Sequence, residues 1–155
     1  MEYTAELERY LGVLRGSPFI KSTELIAGGN DLHIIYYSNY ADYLADNKDT
    51  NHSEKDFNNY FGSGDAIAKI LVGEPVRLLR EFKDLENVTL EFGNPTQDDN
   101  KHVHVSRYIL NKYLGYKVEG LSVEDGSWRE KFSNVYLYDK SKREAFLEQF
   151  GCEMK

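Results

Sequence analysis

The residues best spaced for chemistry are His102 and His104, which flank Val103. In an extended strand, side chains two positions apart point to the same side. Both imidazoles are therefore expected on one strand face, where they can offer two ligands to a divalent transition metal. A metal-dependent hydrolase is accordingly one reading of the chain. His33, His52, Asp98 and Asp99 are the candidates for a third ligand, and spacing selects none of them. The plainer expectation is that Val103 and Val105 face the core. The histidines then face solvent and titrate near neutral pH without metal.

A second group is aromatic. Tyr36, Tyr37, Tyr40 and Tyr43 are the densest cluster among 12 tyrosines. Tyrosine is enriched at protein contacts, so these four are the expected contact surface for a partner, unless the sheet absorbs some of them. Gly62-Ser63-Gly64-Asp65 has the outline of an anion-binding helix start. It lacks the lysine and hydroxyl pattern of a phosphate loop, and reads instead as a corner between two helices. The acid pairs Asp98-Asp99 and Glu124-Asp125, and Asp42 with Asp46, are expected to be solvated. Glu74, Arg77, Arg80 and Glu81 read as charges on a helix face. Trp128 is expected to anchor a satellite of the core.

Composition narrows the classes. The chain has 155 residues and a net charge of −7, with no basic run of the kind that neutralises phosphates. Nucleic acid is not an expected partner, whereas a basic protein is. The single cysteine, Cys152, permits no internal disulfide and has no neighbouring base in sequence to activate it. No apolar stretch approaches the roughly 20 residues that span a bilayer. Residues 1–6 lack the basic start and apolar run of a leader, so membrane association is not expected and the expected compartment is the cytoplasm.

The elements that must position these groups follow from periodicity. Leu7, Tyr10, Leu11 and Leu14 share one helical face, and Gly16 and Pro18 stop that helix. Strands are expected over 19–27 and 32–38, joined by the turn-forming Gly28-Gly29-Asn30-Asp31. Residues 44–56 are polar and read as a surface loop. Ser53 caps a helix carrying Phe57, Tyr60 and Phe61. Asp65 caps a second, bearing Ile67, Ile70 and Leu71, which Gly73 ends, and Pro75 opens a third with Val76, Leu78, Leu79 and Phe82. Alternation returns at Val88, Leu90 and Phe92 and, after a polar turn over 93–100, at Val103 and Val105. Ser106 starts a helix that Gly115 ends, Tyr136 and Tyr138 fall in a short extended piece, and Asp139 caps the last helix.

The expectation is one α+β domain over 1–155. Its mainly antiparallel sheet is built from two hairpins, with helices packed on one side. The functional expectation is a non-catalytic protein-binding domain, such as a small acidic inhibitor or immunity-type protein engaging a basic partner, with no cofactor. The alternatives are the metal-dependent hydrolase and a structural subunit of a homo-oligomer.

Overall fold

The computed structural model describes residues 4–26, 28, 30–92 and 101–153. Helix α1 spans Ala5–Leu11, and the hairpin strands β1 and β2 span Ile20–Ile26 and Asp31–Tyr36. Three helices follow, α2 (Tyr40–Asp46), α3 (Glu54–Phe61) and α4 (Gly64–Glu81). Next come β3 (Asn87–Phe92), β4 (Lys101–Ser106) and α5 (Arg107–Leu114). A wide π-helix (Trp128–Leu137), α6 (Lys140–Phe150) and a three-residue strand β5 (Gly151–Glu153) complete the order.

The α+β class stands, but the sheet is mixed rather than mainly antiparallel. Its order is β1-β2-β3-β4-β5. β1 pairs antiparallel with β2, β3 with β4 and β4 with β5, while β2 and β3 at the centre run parallel. Alternation in sequence reports which face a residue takes and carries no information on strand direction. Direction is set by the crossover. The chain leaves β2, builds three helices over 37–86 and re-enters beside β2 in the same sense, which a parallel pair requires.

Register makes the two faces of the sheet explicit. Leu32, Ile34 and Tyr36 lie beside Val88, Leu90 and Phe92, and these beside Val105 and Val103. All eight are buried. The other parity carries Asp31, His33 and Ile35, then Asn87, Thr89 and Glu91, then Ser106, His104 and His102.

Helix ends are legible in local chemistry. Ser53 and Asp56 form a reciprocal capping box for α3, and the Asp139 side chain accepts from Lys142 N at the start of α6. Gly115 ends α5 with φ 84°. At α4 the cap is Ser63, whose Oγ accepts from Ala66 N, not Asp65. α4 also runs unbroken through Gly73 and Pro75. Gly73 is there for packing: a Cβ would lie 3.2 Å from Leu137 Cδ1 of the π-helix. Tyr136 lies in that π-helix rather than in an extended piece, and Tyr138 N closes it with an i→i+5 bond to Ser133 O (2.9 Å). Buried Arg143 donates to the carbonyl of Leu137 (2.8 Å), satisfying an acceptor at the end of that helix.

The α1–β1 turn is tight. Gly16 has φ 76°, and a Cβ there would stand 2.8 Å from Phe61 Cζ and 3.3 Å from Tyr36 Cε1. Gly16→Ala adds a left-handed backbone penalty of about 1–2 kcal/mol to the cost of moving buried rings. Urea unfolding should show a loss of about 2 kcal/mol or more; an unchanged midpoint contradicts the close approach.

Candidate functional site

The outward parity of the sheet gathers most of the residues with chemistry. His33, His102 and His104, three of the four histidines, lie on the strand positions that face away from the apolar core. Glu91 sits between them, cross-strand from His102, and only 7% exposed. His33 Nε2 approaches Glu91 Oε2 at 3.5 Å without a formed hydrogen bond. His104 Nδ1 pairs with the Thr89 hydroxyl at 2.7 Å. Burial holds the His102 pKa below the usual imidazole value; Glu91 opposes the shift, and His104 and His33 add to it. The environment of His102 therefore favours the neutral imidazole.

His102 and His104 thus share a face, with Val103 and Val105 buried opposite. Among the described residues, no group of three His, Cys, Asp or Glu side chains is arranged to hold a metal. His52 is remote from this face: it lies against Phe19, and its Nδ1 is 3.8 Å from Asp56. Asp98 and Asp99 lie outside the described residues. Cys152 is the backbone partner of His102 in β5.

The tyrosine cluster is largely absorbed by the core. Tyr36, Tyr37 and Tyr43 are buried in the main core, and Tyr40 is half-buried against it. Their hydroxyls are used internally. Tyr36 donates to Arg15 O (2.9 Å) and Tyr37 to Asp46 (2.8 Å). Tyr40 donates to His52 O (2.7 Å), and Tyr43 pairs with Thr50. Residues 44–56, read as a polar surface loop, supply three of these partners, Asp46, Thr50 and His52, and include the end of α2 and the start of α3. Tyr43 packs on Phe19, Tyr37 and Tyr40 pack on Tyr43, and Tyr36 stacks on Phe92, because an aromatic group with its polar tip satisfied gains most from burial.

Sequence spacing also misplaced the α4 charges. Glu74 and Arg80 are buried, not solvated. Glu74 Oε2 accepts from Arg15 N (3.2 Å), and Oε1 lies 3.8 Å from Arg77. Burial pushes the Glu74 carboxyl above the usual carboxylate range, against the pull of Arg77, Arg15 and Arg80. Arg80 donates to Tyr10 Oη (3.1 Å) and stacks over Trp128 at 4.5 Å, with Arg77 at 5.7 Å from the same ring. Trp128 itself stacks on Phe132 at 4.7 Å, so it anchors α4 to the π-helix. Arg107 is a further missed clamp, donating to Leu85 O, Phe82 O and Glu119. Arginine at a helix start carries no sequence signal of that reach.

Gly62-Ser63-Gly64-Asp65 is the corner between α3 and α4. Its serine is spent on capping, and Asp65 faces Arg143 at 3.3 Å. No helix among the described residues is long and apolar enough to cross a membrane. Comparison with known families, curated proteins and solved structures gives no match.

Proposed function

We propose that the protein is a non-catalytic binding domain that engages a basic protein through the polar face of its sheet. The observation that carries this reading is the composition of that face. Glu24, Asp31, His33, Thr89, His102 and His104 are all partly or fully exposed there, around the buried carboxylate of Glu91. Burial disfavours a charge on His102, and the exposed Glu24 and partly exposed Asp31 lie on the same face, in keeping with the net charge of −7. Charge of one sign on a binding face steers and selects a partner of the other. An inhibitor or immunity-type role fits such a surface. A metal-dependent hydrolase on His102 and His104 has less support, since no third ligand converges on them among the described residues.

Capture on immobilised protein, with a salt titration, tests the reading. The wild type should retain a basic partner that is released as salt rises. The variant E24K/H104K, altered at two exposed positions of the face, should bind at least about tenfold more weakly. Capture insensitive to salt and to the variant, or no partner at all, overturns the proposal.

A further inference from the structure

Helix α5 carries the most exposed aromatic residue of the described chain. Tyr108 is 73% exposed, and Ile109 beside it is also open to solvent. A shallow groove runs from Tyr108 past Asn111, Lys112 and Gly115 to Tyr116 and Lys117. No acid lines it. Lys112 Nζ stands 5.6 Å from the Tyr108 ring and Lys131 Nζ 5.9 Å from the Tyr116 ring. Tyr116 is fixed in place by donating to Lys131 O (2.8 Å). Arg107 nearby is neutralised by Glu119 at 2.8 Å. The result is an apolar, aromatic floor rimmed by lysines, on a chain whose net charge is −7. Exposed aromatic and aliphatic groups placed together mark contact sites, and the lysines specify an acidic occupant.

The same chain displays a segment of that description. The turn over 122–127 exposes Val123 at its tip, with Glu124 and Asp125 next to it, both exposed. It is braced from within. Ser122 N donates to Ser127 Oγ (2.8 Å), Glu124 N to Ser122 Oγ (3.1 Å) and Ser127 N to Asp125 Oδ1 (2.8 Å). Trp128 N reaches back to Ser122 O (3.0 Å). A braced turn loses little conformational freedom on docking. An apolar tip flanked by carboxylates is the chemical complement of an aromatic floor flanked by ammonium groups.

We propose that the α5 groove receives the Val123-Glu124-Asp125 turn of a second copy of this chain. The valine sits between Tyr108 and Tyr116, and the carboxylates face Lys112 and Lys117. Groove and turn are different surfaces, so the assembly closes when two copies exchange turns reciprocally. The inference does not depend on the basic partner proposed for the sheet face.

Sedimentation velocity over a range of protein concentrations tests it with two single reversals, K112E and E124K. Both residues are exposed, so the fold is expected to persist, and thermal unfolding monitored by circular dichroism verifies that. The wild type should self-associate. Each variant alone should do so at least about tenfold more weakly, and an equimolar mixture of the two should recover association. In the mixture, each reversed group meets an opposite charge. A wild type that stays monomeric throughout overturns the proposal, as does association that survives both reversals or a mixture that recovers nothing. The first of these outcomes would leave the groove to an acidic segment of some other protein.

Discussion

Truncating Phe19 to alanine should bring the protein close to unfolding at room temperature. Phe19 is fully buried. Its ring meets Tyr43 at 4.8 Å, Phe57 at 5.0 Å, His52 at 5.4 Å and Phe61 at 5.6 Å. It is the point at which α2, α3 and the loop between them close over the start of β1. Loss of a buried phenylalanine costs about 3–5 kcal/mol, against a total of about 5–15 kcal/mol for a domain. The backbone adds to the effect, because Tyr37 N donates to Phe19 O (3.0 Å) and the edge of the sheet relaxes with the ring. Urea unfolding of Phe19→Ala beside Val13→Ala, an exposed position, gives the comparison. The second change should stay within about 0.5 kcal/mol of wild type. Similar midpoints for both would mean that Phe19 does not organise the core as described.

The second large effect is expected at Glu74. Glu74→Ala leaves Arg15 N without its acceptor, and an orphaned buried donor costs about 1–3 kcal/mol, to which the cavity left by the side chain adds. Glu74→Gln keeps an acceptor for Arg15 N and should cost much less. The two variants separate the hydrogen bond from the charge. Burial places the folded pKa of Glu74 above its ordinary value of 4.5. The carboxyl contribution is therefore fully present below that value and is lost as pH rises through the folded pKa. Wild-type stability relative to E74Q should fall as pH rises from the ordinary value to the folded one, then level off. Urea midpoints of the two proteins across that window show the trend. A difference that grows with pH would mean that the arginines overcome the burial of the carboxylate.

Much of the fold was legible because it rests on local chemistry. Ser53, Asp139 and Gly115 mark helix ends through groups within one turn of themselves. Val88, Leu90, Val103 and Val105 show their buried face by simple alternation. What escaped the sequence is what depends on distant partners. The parallel pairing of β2 with β3 is decided by the crossover, not by either strand. Gly73 reads as a helix stop, yet it admits Leu137. Glu74 and Arg80 have the spacing of surface charges and are buried because Arg15, Tyr10 and Trp128 arrive from elsewhere in the chain. The candidate site was half visible. His102 and His104 declared a shared face through their spacing. Only register separates His33 from the other candidates named with them and brings Glu91 beside His102. How the tyrosine cluster packs was not legible, because density in sequence does not report which hydroxyls find internal acceptors.

The central parallel pair has a consequence for synthesis. β2 obtains its second neighbour only when β3 has been made, after the whole of residues 37–86. Until then the backbone edge of β2 that will pair with β3 stays open, and the face carrying Leu32, Ile34 and Tyr36, side chains that end fully enclosed, stays uncovered. Such an edge is free to pair with other emerging chains. Ribosome-bound intermediates ending within the crossover are thus the stage at which this protein has most need of a chaperone.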